Sequence, residues 1–356
     1  MSDTTSRRLV LHTVLMQTDE TTVVGEAEYC PLTGGNKRCV YEYAKDAPYS
    51  DTVPTARAIT KLQSNKQRLP PMLIQIGYDI QLAMTSPMAL IYLLHVHPSR
   101  RDDLLQPEVV NVSPSLPTEE YVDSFGNHCG RINVPEGVSS VKFSSRAVIR
   151  DTGLLDAQHF DAYQHDPRDL PASTLQFLLP SRYCEVDSEL LNFAWAQFGS
   201  TPLGWPRVQA ICDFVHNHIR FDYQCARANR TALEGFRERV GVCRDFTHLA
   251  VTLCRCMNIP ARYVTGYLGD IGVPVMPGPM DFSAWFEVFL GDHWCTCDAR
   301  HNRARIGRIV MAQGRDAGDV PIVMGFGQHS LLRFDVITYE VYPDTVMVGS
   351  ALGQAQ

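Results

Sequence analysis

The sequence predicts an α+β protein: an N-terminal β-sandwich followed by a domain in which a helix packs on an antiparallel sheet. Three observations carry this expectation. Residues 72–148 are short apolar runs separated by turn residues. From about residue 187 the apolar spacing changes to offsets of three, four and seven, the helical repeat. Beyond Pro260 strand patterns return, at 261–268, 282–290 and 293–297. The length of 356 residues, at ~150 per domain, suits two such bodies.

Taken in order, residues 1–71 read as an extension, expected to be poorly ordered. Gly34-Gly35, Pro48, Pro54, Lys61 and Lys66 interrupt it, and Pro70-Pro71 ends it. Residues 72–155 form the sandwich, opened by the alternation Leu73, Ile74, Ile76, Tyr78, Ile80, Leu82 and turned at Asp123-Ser124-Phe125-Gly126-Asn127. Residues 156–180 are a linker rich in Asp and Pro, residues 181–345 the second domain and 346–356 a tail. Within 181–345, Gly204-Trp205-Pro206 opens a helix whose stripe is Val208, Ile211, Cys212, Val215 and Ile219. A second stripe, Phe246, Leu249, Ala250, Leu253 and Met257, defines a helix that stops before Pro260.

Apolar residues make up 45% of the chain and charged residues 20%, which excludes the disordered class. A net charge of -7 gives no basic field, so nucleic acid is not an expected partner. No run reaches the ~18 apolar residues of a membrane span. Two arginines precede an apolar stretch near the start, but His12 and Thr13 break it and no small-residue cleavage site follows before Asp19. The expectation is a cytoplasmic protein without membrane contact. Eleven scattered cysteines read as reduced, mostly buried thiols rather than a disulfide framework.

Cys243 is the sharpest chemical candidate. It follows Gly241-Val242 and opens the second helix, where unpaired N–H groups and the helix dipole favour a thiolate. The same N–H groups suit half of an oxyanion hole.

Cys243 lies in a larger pattern. Gly241-Val242-Cys243-Arg244-Asp245-Phe246 is followed by Cys254-Arg255-Cys256-Met257-Asn258-Ile259-Pro260-Ala261-Arg262-Tyr263-Val264-Thr265-Gly266-Tyr267. Then come Ser283-Ala284-Trp285-Phe286-Glu287-Val288 and Trp294-Cys295-Thr296-Cys297-Asp298. Together these blocks resemble the transglutaminase-like superfamily over about 180–340, and the β-rich part resembles the N-terminal domain of its bacterial cysteine-protease-like members. The resemblance implies a papain-like core, with Cys243 as nucleophile and Asp298 as the third member of a triad. It also implies a histidine where this chain has Ser283. A serine hydroxyl cannot take the thiol proton near neutral pH and return it to a leaving amine.

Other histidines lie near these blocks. His248 lies five residues after Cys243, ~140° off its face of the helix, and reads as a packed side chain. His301, three residues beyond Asp298, leaves the strand end that carries the acid and is the candidate substitute. Trp285 and Arg300 are candidate substrate contacts. The remaining arginines, 303, 305, 308 and 315, read as structural ion pairs with nearby acids. The pairs Cys254/Cys256 and Cys295/Cys297 lack the usual zinc-knuckle spacing, so no metal and no cofactor is expected.

Two functions follow. One is a hydrolase or acyl transferase acting on peptide amide or ester bonds through a Cys243 acyl-enzyme, with a peptide or protein as substrate. The other is a peptide-binding or scaffold protein that kept the fold and lost the base.

Overall fold

The computed structural model describes residues 16–17, 22–27, 39–44, 71–275, 278 and 280–342. The chain divides into two compact units, Met1–Arg68 and Leu69–Gln356. In the first, β1 (Met16–Gln17), β2 (Thr22–Ala27) and β3 (Cys39–Ala44) pair antiparallel into one sheet. The rest of the expected 1–71 extension, and the whole 346–356 tail, lie outside the described residues.

The second unit opens with β4 (Met72–Met84), β5 (Met88–Tyr92), β6 (Asn111–Ser113), β7 (Thr118–Val122), β8 (His128–Val134) and β9 (Ser140–Asp151). Alternation decides which way each side chain faces. Ile74, Ile76, Tyr78, Ile80 and Leu82 point inward from β4, against Leu90 and Tyr92 of β5, Ile132 of β8 and Phe143 of β9. Each fully buried large apolar side chain of this set contributes about 1.5–3 kcal/mol.

The helical half follows. It comprises α1 (Glu189–Phe198), α2 (Trp205–His218), β10 (Arg220–Phe221), α3 (Ala232–Glu238), β11 (Val240–Gly241) and α4 (Cys243–Cys256). Next come β12 (Ala261–Tyr267), β13 (Ser283–Leu290), β14 (His293–Cys297) and β15 (Ile309–Gly314), in the sheet order β14-β13-β12-β15, all antiparallel. Helix α4 lies on this sheet: Phe246, Leu249, Ala250 and Leu253 share a core with Phe286, Val288 and Leu290 of β13. It is buried from Asp245 to Cys256, so its polar side chains need internal partners. Arg255 donates to the carbonyls of Ala261, Leu179 and Arg315, and Thr252 to that of His248.

Two last strands, β16 (Val323–Gly325) and β17 (His329–Val341), return to the sandwich. Strand β16 pairs with β5, and β17 runs along β4 from His329↔Met84 to Val341↔Leu73. The sandwich sheets are therefore β16-β5-β8-β7 and β17-β4-β9-β6. This corrects the expected boundary at 345, because the helical half ends before β16 and the chain returns to the sheets that β4 and β5 opened. One core also runs through both halves, with Tyr267, Phe282, Ile309 and Met311 packed among the β4 and β5 side chains. No helix among the described residues is long and apolar enough to cross a membrane.

Candidate functional site

Cys243 is the first residue of α4, and the turn before it is built around Asp245. That carboxylate accepts the Val242 N–H at 2.8 Å and pairs with Arg230 at 3.0 Å. It replaces the missing side-chain cap at Val242 and fixes where the helix begins. Gly241 is required by the same carboxylate: a Cβ there would stand 2.5 Å from Asp245 Oδ2.

The thiol of Cys243 is free and partly exposed, and packs beside Ala284 and Tyr263. Burial pushes it up from the ordinary 9.0 to about 11. Arg300 and the N–H groups of Ala284 and Arg244 work in the opposite direction, whereas Asp281 adds to the rise. The sign follows from magnitudes: a helix end supplies about 0.3–1 kcal/mol, less than one pKa step of 1.36 kcal/mol. Burial thus outweighs the helix terminus and favours a neutral thiol at pH 7 over the thiolate expected there.

Asp281, Arg300 and Tyr223 are the charged and polar neighbours of this thiol. Burial raises the Asp281 carboxyl to about 6, although the residue as a whole is exposed. Arg300 lies with its guanidinium 4.0 Å over the Phe221 ring, and Tyr223 feels Asp281, Arg300 and Cys243 together. Sequence reasoning missed Asp281 and Tyr223. The available signal for Asp281 was its place two residues before Ser283, on the same face of an extended chain.

Ser283 opens β13. Its hydroxyl oxygen is buried and has no hydrogen-bond partner. Alternation puts Ser283 and Trp285 on one face, and Ala284 and Phe286 on the face packed toward α4.

Asp298 follows β14 and is buried. Its Oδ2 accepts from His301 Nδ1 and from Arg308 Nη2, both at 2.8 Å, and its Oδ1 accepts the His301 N–H at 3.0 Å. Burial opposes its ionisation, but Arg308 and His301 outweigh that and hold the carboxyl well below the usual range. Because a carboxylate only accepts, His301 Nδ1 carries a proton and Nε2 keeps its lone pair. Burial keeps the ring below the ordinary imidazole value despite Asp298, so it is neutral at pH 7. A histidine–aspartate couple therefore exists, but among the described residues no hydrogen bond joins it to Cys243.

Trp285 corrects the expectation of a substrate contact. It is 1% exposed, with the Arg308 guanidinium 5.0 Å over its ring. Its edge crosses Gly266, where a Cβ would meet Trp285 Cη2 at 2.9 Å. Arg308 also binds Asp156 at 2.8 Å, Arg305 donates to the Gly269 carbonyl, and Arg315 pairs with Asp319, so these three arginines are tied into the structure. His248 is fully buried, stacks on Tyr183 and accepts the Ala317 N–H.

Residues 193–299 match the model of the transglutaminase-like superfamily. An uncharacterised Mycobacterium leprae protein is 31% identical over 97 residues, 27% of this chain and 35% of its own length. An uncharacterised Mycobacterium tuberculosis protein is 29% identical over 246 residues, 61% of this chain and 76% of its own. The crystal structure of a candidate cysteine protease from Cytophaga hutchinsonii superposes with a TM-score of 0.66 at 29% identity, covering 78% of this chain and 93% of that one.

Proposed function

Residues 193–299 belong to the transglutaminase-like superfamily, and we propose that this chain uses the Cys243 site to hold a peptide-type ligand without forming an acyl-enzyme on it. One observation supports the reading: the chain has Ser283, a buried hydroxyl with no partner among the described residues, where the resemblance implies the family base, and burial lifts the Cys243 thiol to about 11. Acyl transfer needs a group that takes the thiol proton and delivers it to the leaving amine. His301 keeps a free Nε2, with Asp298 on its Nδ1 and Arg308 sharing that carboxylate, but among the described residues no hydrogen bond joins it to Cys243. What remains around Cys243 suits recognition. Arg300 offers a planar pair of donors to a carboxylate or peptide carbonyl, and Tyr223, half exposed, adds a hydroxyl and a ring.

A second reading keeps the nucleophile. Asp281 faces Cys243 with its carboxyl raised to about 6, a value suited to a general base. On that reading the chain acts as a cysteine hydrolase or acyl transferase on activated esters or thioesters, which do not demand protonation of an amine. The protein similar to this chain from Cytophaga hutchinsonii is described as a candidate cysteine protease, which favours this reading to the extent that 29% identity does.

The test incubates the full chain with peptide thioesters and a peptidyl vinyl sulfone and follows intact mass. The expected result is no adduct on wild type within hours, with equilibrium binding of the uncleaved peptide weakened by Arg300→Ala. An adduct that maps to Cys243, vanishes in Cys243→Ser and slows in Asp281→Asn would overturn the binding reading and establish the second.

A further inference from the structure

At the opposite half of the molecule, we infer that His95, Glu120 and His128 of the sandwich form a binding site for one divalent transition-metal ion of the zinc type. The ligand atoms of the three residues lie within 4.8 Å of one another. They come from three separate segments. His95 follows β5, Glu120 is on β7 and His128 opens β8. The register pairs Val122 with His128 and Glu120 with Gly130, so Glu120 and His128 are diagonal neighbours on one face of the hairpin. The His95 and His128 rings stack at 3.9 Å, which brings the third ligand onto that face.

Within the cluster, Glu120 Oε2 stands 3.1 Å from His128 Nε2 and Glu120 Oε1 3.7 Å from His95 Nε2. The decisive observation is His95 Nε2. It is buried and, among the described residues, has no hydrogen-bond partner. Buried polar nitrogens are normally satisfied, and an orphan of this kind calls for an explanation. A metal ion at the centre of the three residues supplies the missing partner. Behind the ring, His95 Nδ1 is 3.9 Å from Glu108 Oε2, a carboxylate fixed by the Val96 N–H at 2.7 Å. At 3.9 Å the two are an ion-pair distance apart rather than hydrogen-bonded, and an approach of about 1 Å would make Glu108 the carboxylate that orients this imidazole. Glu108 Oε1 is also buried and unpartnered, on a cavity of about 420 Å³ shared with His95, Glu120 and His128.

The donor set selects the ion. Two imidazoles and one carboxylate suit zinc, cobalt or nickel, whereas calcium and magnesium prefer oxygen throughout. Ligand atoms around zinc lie ~2.0–2.2 Å from the metal, so the cluster must close by about an ångström. Glu120 is exposed and free to move, and the two stacked rings must turn out of parallel so that both Nε2 lone pairs face one ion.

Arg101 is the competing group. Its Nη2 lies 3.2 Å from His128 Nδ1. A guanidinium only donates, so Nδ1 accepts and the proton sits on Nε2, turned toward Glu120. A metal on Nε2 needs that lone pair, which moves the proton to Nδ1 and displaces Arg101. Removing Arg101 should therefore tighten metal binding.

The experiment strips the full-length protein with chelator and titrates it with Zn²⁺ by calorimetry and with Co²⁺ by visible absorption. The expected result is one equivalent bound, with cobalt bands of nitrogen–oxygen ligation and no thiolate charge-transfer band. Glu120→Gln, an exposed change compatible with folding, and His128→Gln should each weaken binding at least ~10-fold, the scale of losing one ligand contact. Arg101→Ala should strengthen it. His293→Gln, in the separate His159–His293–Cys295 group, should leave it unchanged. No binding at micromolar Zn²⁺, a thiolate band, or loss in His293→Gln with none in Glu120→Gln would each overturn the assignment.

Discussion

The state of the Cys243 thiol can be read directly from its pH dependence of alkylation. Burial sets the thiol near 11 instead of 9.0. Only the thiolate reacts, so at neutral pH the reactive fraction is ~10⁻⁴ where an unburied thiol at 9.0 would give ~10⁻². Iodoacetamide should therefore modify Cys243 about 100-fold more slowly at pH 7 than a thiol of ordinary acidity. The rate should climb roughly tenfold per pH unit through pH 9 without a plateau. Peptide mapping separates Cys243 from Cys225, the other partly exposed thiol among the described residues, and Cys243→Ser identifies the signal. Arg300→Ala should slow the reaction further, since Arg300 opposes the rise. A plateau reached near pH 6, or a neutral-pH rate equal to that of free cysteine, would refute the reasoning and show that the helix end and Arg300 outweigh burial.

Three further outcomes are expected. Arg308→Ala leaves Asp298 as a buried charge with one partner fewer, and urea unfolding should show a loss of about 3–5 kcal/mol; a loss under ~1 kcal/mol would mean that the pair is not structural. His248 is fully buried and held well below 6.5 by burial, then by Arg244 and Arg255. Its folded value lies below its unfolded one, so its contribution is complete above about 6.5 and is lost as pH falls. His248→Gln should flatten the fall in melting temperature between about pH 7 and pH 5, and identical slopes in variant and wild type would contradict this. In Gly266→Ala the new Cβ would stand 2.1 Å from the Ile309 carbonyl oxygen and 2.9 Å from Trp285, so destabilisation of at least ~1–3 kcal/mol is expected by thermal melting, and a neutral result would show that β12 and β15 can part there.

Much of the architecture was legible because its signals are local. The two-residue alternation of β4 and the stripe of α4 are short-range patterns, and both record which side of an element meets the core. The blocks around Cys243, Ser283 and Asp298 were legible in the same way, as spacings along the chain. The position of Cys243 at the first turn of a helix was readable; its ionisation was not. That depends on how much protein surrounds the sulfur, which residues from β12, β13 and the segment after β14 decide together.

What the amino-acid sequence by itself determined here is the α+β class, the elements β4, α2, α4 and β12 to β14 in their order, and the absence of an imidazole at position 283. Only the tertiary structure decided that β17 lies along β4, that Arg308 shares the Asp298 carboxylate with His301, that Trp285 is buried, and that His95 meets Glu120 and His128. Each of these joins residues far apart in the chain or turns on burial by distant segments. Sheet register and packing are set by the core as a whole, because a one-residue slip would exchange every buried side chain for an exposed one. Local pattern states which face is buried, and the completed core states what that face touches.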